Sequence, residues 1–383
     1  MALRVLHCPA NVGNHPQGLA RAERRLGVAS WCVDVDRPWL DYPIDEALAP
    51  PTTHGVGVEL RRWRLLLRAL RDYDVVHFNF GRSLLPARTP SLWDGGARHV
   101  PGRLYGRVLA MRDVPLLKRA GKRIFVTFQG DDARQAYGPD VPHAHRWLGE
   151  AVGGGYYTAG GDALKRRTIA RWDAWADGLF YVNPDLGAFL PARASFTPYA
   201  SVDPEEWRPA TPAPLPRTPT IVHAPSHRGI KGTQRVVDAV ERLRREGVDL
   251  DFRLVENLPH TAAREAYESA DVLVDQVLVG WYGGLAVEFM ALGKPVVCFI
   301  DDESARRYAP PELIDDLPVL RAQLSDPYSA LRELLTSRRD EYENLSLRSR
   351  AFVEKWHDPV PIAARMRDAY ESAFAVQRPR MRA

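Results

Sequence analysis

A short segment in the middle of the chain combines two cations with a glycine-rich turn. In His223–Thr233, HAPSHRGIKGT, Arg228 and Lys231 flank Gly229 where a predicted strand leads into a predicted helix. The unpaired N–H groups and the positive dipole end of a helix N-terminus favour anions. Two cations on the same turn suit a diphosphate. The segment predicts a phosphate site, and the alternative is a solvated turn between a strand and a helix.

A second glycine-rich turn follows further along the chain. The segment Val279–Val297, VGWYGGLAVEFMALGKPVV, places Gly283 and Gly284 before a predicted helix that carries Glu288. Glycine lets the backbone approach a ligand closely. An acid near such a turn can bind ribose hydroxyls, and it can equally complement the dipole of its own helix. The spacing alone leaves both roles for Glu288 open.

A pair of carboxylates follows a predicted strand in the first half of the chain. The segment Phe125–Arg134, FVTFQGDDAR, contains Gln129, Asp131 and Asp132. A carboxylate at the end of a strand could orient or deprotonate a hydroxyl group. The alternative is a turn closed by an aspartate side chain.

Patterns of metal ligands are weak. Asp34-Val35-Asp36 has a D-x-D spacing, but it ends a predicted strand, and we attribute the spacing to chance. His143 and His145 lack further ligands to complete a set, so we interpret them as loop residues. The three cysteines are too few and too widely separated for a disulfide framework. We therefore expect no metal site.

Composition narrows the class of protein. The 383 residues carry 52 Lys and Arg against 48 Asp and Glu, a formal net charge of +4. The arginines are spread along the chain, whereas a nucleic-acid-binding surface concentrates its cations, so we expect no nucleic-acid partner. The chain has no apolar run as long as a membrane span, and its start, MALRVLHCPANVG, is typical of a first strand. We expect a cytoplasmic protein.

Short apolar runs alternate with helical patterns on both sides of a proline-rich stretch, Arg208–Pro219. Such strands favour parallel sheets covered by helices on both faces. We predict an α/β protein of two doubly wound, Rossmann-like domains, with a ligand cleft between them at the carboxyl ends of the strands. The predicted strands are Leu3–His7, Ser30–Val35, Val75–Phe80, Arg123–Phe128, Gly178–Asn183, Thr220–Ala224, Asp251–Val255, Asp271–Gln276 and Pro295–Ile300.

The two glycine-rich segments together resemble a known family. KGT followed by G-x-x-x-E-x-M-A-x-G-x-P-V-V is similar to the donor-binding domain of retaining GT-B glycosyltransferases of the glycosyl transferases group 1 superfamily. Phe125–Arg134 resembles the family's T-x-H-G-x-D segment, and Leu3–Gly27 resembles its first strand, glycine loop and helix. The resemblance implies a first, acceptor-side domain at 1–207, a linker at 208–219, a nucleotide-sugar donor domain at 220–358, and a crossover helix and tail at 359–383.

The resemblance also implies an activity. It indicates an enzyme that moves a sugar from a nucleotide diphosphate sugar to a hydroxyl acceptor, with retention, without metal and without a further cofactor. The alternatives are a nucleotide-sugar-binding homologue without turnover and a nucleotide-sugar epimerase of the same fold. The implied donor-binding residues are Arg228, Lys231, Glu288, Tyr282, Gly283, Gly284, Leu285, Gly13 and Asn14. The implied catalytic residues are Asp132, Gln129 and Asp131.

Two positions depart from the family pattern. Gly280 stands where the family has a glutamate that binds the donor sugar, and Gln129 stands where it has a histidine. Glutamine cannot act as a general base but can still donate and accept hydrogen bonds. Asp275 and Gln276, at the end of the preceding strand, are candidates to replace the missing glutamate.

The predicted helix at 58–71 carries an apolar stripe beside a basic one. A basic amphipathic helix can lie on a membrane surface, which would suggest a lipid-linked acceptor. It can also pack on the sheet as an ordinary surface helix, and we favour that interpretation. The apolar stripe is Leu60, Trp63, Leu67 and Leu70, and the basic stripe is Arg61, Arg64, Arg68 and Arg71.

Overall fold

The computed structural model describes residues 2–35, 41–50, 56–85, 106, 108–209 and 213–375. These residues form two sheets of parallel strands. The first sheet has seven strands in the order β3-β2-β1-β4-β5-β6-β7. Its strands are β1 Arg4–Cys8, β2 Ala29–Asp34, β3 Glu46–Ala47, β4 Val75–Asn79, β5 Arg123–Phe128, β6 Gly178–Tyr181 and β7 Ser195–Phe196.

Strand β1 is the point where the order of the first sheet reverses. It pairs with β2 through Arg4↔Ala29 on one side and with β4 through Val5↔Val75 on the other. The loops that leave two such neighbouring strands in opposite directions open a crevice at their carboxyl ends. The loop after β1 contains Gly13 and Asn14, so the fold brings this loop to the crevice.

The second sheet has five strands in the order β12-β11-β10-β8-β9, and it reverses between β8 and β10. The segment after β8 carries Arg228 and Lys231 on a short helix, and the loop after β10 carries Asp275 and Gly283. Both glycine-rich segments therefore meet at the second crevice. The strands are β8 Thr220–His223, β9 Asp251–Leu254, β10 Val272–Val274, β11 Val296–Phe299 and β12 Leu320–Ala322.

Helices cover both sheets. They are α1 His15–Arg25, α2 Val56–Asp72, α3 Asp113–Arg119, α4 His143–Val152, α5 Ala159–Trp175, α6 Arg228–Lys231, α7 Thr233–Arg245, α8 His260–Glu268, α9 Gly284–Ala291, α10 Asp302–Tyr308, α11 Pro311–Asp316, α12 Tyr328–Leu335, α13 Tyr342–Trp356 and α14 Pro359–Ala375. The last helix returns to the first domain, where Ile362, Met366 and Tyr370 are buried in one cluster with Val5 and Phe125.

The predicted fold class, two Rossmann-like sheets of parallel strands, is confirmed. The predicted strands all form, within three residues at either end. The very short β3 and β7 lack an apolar pattern long enough to be recognised. The interpretation of His143 and His145 as loop residues was wrong, because both lie in α4.

Helix α2 packs on the first sheet, but not through the apolar stripe named above. Val58, Leu65, Leu66 and Ala69 form the buried face of the helix. Of the stripe, Leu60, Trp63 and Leu67 are exposed. The helix has apolar residues on two faces, and a helical period cannot tell which of them meets the sheet.

Candidate functional site

The two crevices face each other across the middle of the molecule. Gly13 has a φ of +57° and Asn14 a φ of +60°, left-handed conformations that turn the first-domain loop sharply. An ideal Cβ on Gly284, the first residue of α9, would lie 3.7 Å from the carbonyl oxygen of Gly13. The Asn14 amide donates to the carbonyl oxygen of Ser201 at 2.8 Å. The structure therefore places Gly13, Asn14 and the N-terminus of α9 together.

Lys231 lies at the centre of the second-domain side. Its Nζ atom donates to Oε1 of Gln276 at 2.6 Å and lies 3.2 Å from Oδ1 of Asp275. The other carboxylate oxygen of Asp275 accepts the backbone N–H of Gly283 at 2.6 Å. Asp275 thus presents an anion to a lysine and to an N–H group at the start of α9. A phosphate group would use the same partners.

Glycine at position 283 leaves room for the charged groups beside it. An ideal Cβ there would lie 3.1 Å from Nζ of Lys231 and 3.4 Å from Oδ2 of Asp275. A side chain at this position would crowd the Lys231 ammonium, which would have to shift by a few tenths of an ångström. The backbone of Gly283 can therefore approach the charges closely, as the sequence pattern predicts.

Arg228 has a partner outside this centre. Its side chain is 62% exposed and pairs with Glu256, with its Nε atom 2.8 Å from Oε1. It lies at the first turn of α6, whose N-terminus is capped by Nδ1 of His227. In this structure the two cations have separate carboxylate partners.

Glu288 is 2% exposed and has one carboxylate oxygen in use. Oε1 accepts from Nε2 of His260 at 2.9 Å and from the hydroxyl of Tyr42 at 3.4 Å. The rings of Tyr42 and His260 pack with their centroids 4.2 Å apart. Oε2 is buried with no hydrogen-bond partner among the described residues. Buried polar atoms are nearly always hydrogen-bonded, so this oxygen has hydrogen-bonding capacity that the described residues do not use.

Tyr42 and His260 were not identified from the sequence. Tyr42 comes from the first domain and reaches Glu288 across the crevice, a contact that no local pattern encodes. His260 is the first residue of α8 and follows Pro259, and neither feature marks it as a partner of Glu288. Both residues depend on tertiary structure for their place beside Glu288.

The side chain of Tyr282 joins the second domain to the segment before the crossover helix. It is fully buried, and its hydroxyl lies 2.9 Å from Nε2 of His357. Nδ1 of His357 lies 2.9 Å from the carbonyl oxygen of Tyr199, which can only accept a hydrogen bond. Burial lowers the pKa of His357 to about 4, so the neutral ring donates from Nδ1 and accepts at Nε2. Any ligand contact at Tyr282 would therefore come from its backbone.

The carboxylate of Asp132 closes the loop after β5. It accepts hydrogen bonds from the N–H groups of Gln129 at 3.1 Å and Gly130 at 2.7 Å. These bonds form a turn closed by an aspartate side chain. Burial raises its pKa to about 6 against the effect of these two donors. Gln129 is itself buried, and its amide lies 3.4 Å from the side-chain oxygen of Asn79. Both side chains lie at the end of the strand as predicted.

Asp131 is held by three side chains. Tyr157 and Arg134 donate to Oδ1 at 2.6 and 2.9 Å, and Tyr156 donates to Oδ2 at 2.7 Å. Burial alone would raise the pKa of Asp131, but Arg134 and the two tyrosine hydroxyls lower it below the usual range. The ring of Tyr156 also contacts His227, with centroids 4.8 Å apart. This cluster thus links the first domain to the turn that carries Lys231.

Gly280 has no room for a side chain. An ideal Cβ there would lie 2.4 Å from the Cβ of Asp301. A glutamate at this position would therefore force the backbone apart. Of the two candidates to replace it, Asp275 contacts Lys231 and Gly283, and Gln276 contacts Lys231 and the carbonyl oxygen of Trp281.

No group of three or more histidine, cysteine, aspartate or glutamate side chains within the described ranges is placed to hold a metal ion. No described helix is both long enough and apolar enough to cross a membrane.

Comparisons with known proteins identify the fold. Neither a protein-family model nor a curated protein sequence matches the chain. Sucrose-phosphate synthase from Thermosynechococcus elongatus is similar in structure, with a TM-score of 0.60 and 15% identity over 98% of this chain and 100% of that one. The catalytic domain of starch synthase IV from Arabidopsis thaliana, bound to ADP and acarbose, gives a TM-score of 0.61 and 12% identity over the same shares. Anabaena HepE in complex with UDP-glucose gives a TM-score of 0.57 and 10% identity over 97% of this chain and 100% of that one.

These solved structures are GT-B glycosyltransferases, and the chain has their fold. Gly13, Lys231 and Gly283 lie at the facing crevices of its two sheets.

Proposed function

We propose that the protein is a glycosyltransferase that moves a sugar from a nucleotide diphosphate sugar to a hydroxyl acceptor. The observation that carries the proposal is the convergence of Lys231, the N-terminus of α9 and the Gly13 loop in a GT-B fold. A cation and free N–H groups at a helix N-terminus form a site for an anion. The structures of similar fold include one with UDP-glucose and one with ADP, which supports a nucleotide-sugar donor.

The donor diphosphate would bind at Lys231 and the backbone of Gly283, Gly284 and Leu285. Its oxygens would compete with Asp275, which now holds Lys231 and the N–H of Gly283. Asp275, once released, is placed to accept hydroxyls of the donor sugar. This role would replace the acid that Gly280 cannot provide.

Glu288 would bind the ribose of the donor. Its Oε1 atom is already oriented by His260, so the buried Oε2 atom, which has no partner among the described residues, would accept a ribose hydroxyl. Tyr42 packs on His260 and would form the first-domain wall of the nucleoside pocket. Arg228 would reach the outer phosphate only by leaving Glu256, so its part in binding is secondary to that of Lys231.

In the reaction, the bond between the anomeric carbon and the diphosphate oxygen breaks, and the leaving group keeps the electron pair. Lys231 and the start of α9 stabilise the charge that develops there, which is electrostatic catalysis without a metal. The acceptor oxygen forms the new bond, and its proton passes to the leaving phosphate oxygen. This route needs no strong protein base and agrees with glutamine at position 129. The acceptor attacks the anomeric carbon from the face that the diphosphate leaves, so the anomeric configuration is retained.

Two measurements test the proposal. A thermal-shift screen with UDP, GDP, ADP and TDP should raise the melting temperature with one base, because a ligand stabilises the state that binds it. The matching nucleotide sugars should then be hydrolysed slowly, with the released sugar in the retained anomeric form by NMR. A protein that binds none of the four diphosphates would overturn the proposal. Binding without any hydrolysis or transfer would favour a binding protein without turnover.

A further inference from the structure

Helix α2 exposes an apolar stripe to solvent. Leu60 and Leu67 are 58% and 64% exposed, and Trp63 between them is 36% exposed. Their spacing of three and four residues places the side chains on one face of the helix. The opposite face is buried in the first domain through Leu65 and Leu66. Single exposed leucines are common, but a continuous apolar stripe on one helix indicates an interaction surface.

Cations flank this stripe. Helix α2 carries five arginines against two acids. Arg61 donates to the carbonyl oxygen of Leu48 and has no carboxylate partner among the described residues, and Arg64 is exposed. Arg68 and Arg71 pair with carboxylates at the other end of the helix. The excess of positive charge is therefore concentrated in the N-terminal half of α2, beside Leu60 and Trp63.

The same half of the helix lies at the cleft edge of the first sheet. Arg61 is anchored to Leu48, directly after β3, and Arg62 donates to the carbonyl oxygen of Leu84 in the loop after β4 at 3.2 Å. Both loops leave the carboxyl ends of their strands, which is the edge where the Gly13 loop opens. A surface bound to this stripe would lie beside the first-domain side of the cleft.

We propose that the exposed face of α2, formed by Leu60, Trp63, Leu67, Arg61 and Arg64, docks the protein on an anionic membrane surface. Apolar side chains enter the headgroup boundary while neighbouring arginines remain with the anionic headgroups. A membrane fits better than a protein partner because the cations lie along the stripe itself, where a lipid surface supplies both apolar and anionic groups. Together with the proposed function, this docking would bring a lipid-borne hydroxyl acceptor to the cleft.

The test is co-sedimentation of the full chain with vesicles, without any nucleotide. The chain should bind vesicles of equal parts phosphatidylcholine and phosphatidylglycerol and not pure phosphatidylcholine. The double variant L60S/L67S should lower the fraction bound at least about tenfold, because two exposed apolar side chains are removed. The variant R61Q/R64Q should lower it by a similar factor at low salt and by less at high salt, where the charges are screened.

The matched control is L347S/R348Q, which changes an exposed leucine and an exposed arginine on α13 in the second domain. It should bind vesicles like the wild type. No binding of the wild type to anionic vesicles, or an equal loss in the control, would overturn the proposal. If L60S/L67S instead converts a dimer to a monomer in sedimentation velocity and leaves vesicle binding unchanged, the stripe is an interface between copies. Nucleoside diphosphate binding should be the same in all variants, so failure of docking and failure of the proposed function give different results.

Discussion

The Nζ atom of Lys231 lies 3.2 Å from Oδ1 of Asp275, and the other oxygen of that carboxylate accepts the first N–H before α9. The two groups that suit a phosphate are therefore already bound to an internal carboxylate. A diphosphate that binds here must compete with a buried negative charge. This competition makes Asp275 as informative as Lys231 about what the site does.

Replacing Asp275 with asparagine should strengthen the binding of the nucleoside diphosphate product and lower the rate of transfer. The variant keeps an acceptor for Gly283 but removes the negative charge beside Lys231. Nucleoside diphosphate should bind about fivefold more tightly by calorimetry, a gain of about 1 kcal/mol from lost repulsion. Turnover of the nucleotide sugar should fall. Asp316→Asn, on the surface and paired with Lys355, is the control and should change neither. Weaker diphosphate binding by D275N would contradict a competing role for Asp275.

The Oε2 atom of Glu288 predicts that the protein distinguishes a nucleoside diphosphate from its dideoxy form. The wild type should bind the preferred nucleoside diphosphate more tightly than its 2′,3′-dideoxy form by about 1–3 kcal/mol, the scale of hydrogen bonds to a charged group. Glu288→Gln keeps an oxygen for His260 and removes the charge, so the difference between the two ligands should narrow. Binding free energies of both ligands to both proteins form a complete thermodynamic cycle. The same difference in both proteins would assign Glu288 to stability alone.

The contact between Gly280 and Asp301 predicts a loss of stability on substitution. Gly280→Ala places a Cβ 2.4 Å from the Cβ of Asp301, and such overpacking typically lowers the free energy of unfolding by about 1–3 kcal/mol. Gly160→Ala is the control, because a Cβ there meets nothing within 4 Å. Urea unfolding measures both. An unchanged midpoint for G280A would show that space for a side chain exists at this position.

Burial of His357 predicts a dependence of stability on pH. Its pKa is lowered from 6.5 to about 4 in the folded state, so only the unfolded chain gains a proton between these values. This contribution to stability is complete above pH 6.5 and is lost as the pH falls, by about 1.4 kcal/mol per unit. Glutamine at this position can hydrogen-bond both Tyr199 and Tyr282 but does not titrate. Urea unfolding at pH 7 and 5.5 should therefore show a smaller loss for His357→Gln than for the wild type, and equal losses would contradict the assigned cause.

Much of the fold was predictable because its signals are local. Parallel strands buried on both faces appear as short apolar runs, and glycines beside Lys231 and Glu288 mark the loops at the second crevice. The length of β3 and β7, two residues each, leaves no pattern to recognise. Helix α2 shows the limit of periodicity. Leu60 and Leu67 lie on one face of the helix and the buried Leu66 lies on another, and the spacing alone does not tell which face meets the sheet.

The sequence predicts the place of a site residue only where the residue's own segment of chain sets its position. Gly283 and Lys231 are such residues, and the structure brings them together. Tyr42 is separated from Glu288 by most of the chain, and the sequence contains no trace of their contact. Tyr282 lies directly before the glycine turn, and its side chain hydrogen-bonds to His357. The partners of a side chain depend on tertiary packing, which the motif does not record.

The most direct test of the central claim is calorimetry of nucleoside diphosphate binding to Lys231→Ala. The loss of one charge-assisted contact should weaken binding by about 1.5–3 kcal/mol. Lys355→Ala, which removes a lysine from a surface carboxylate pair, should bind like the wild type. A Lys231→Ala protein that is folded and binds the diphosphate with unchanged affinity would contradict the assignment of this crevice as the donor site.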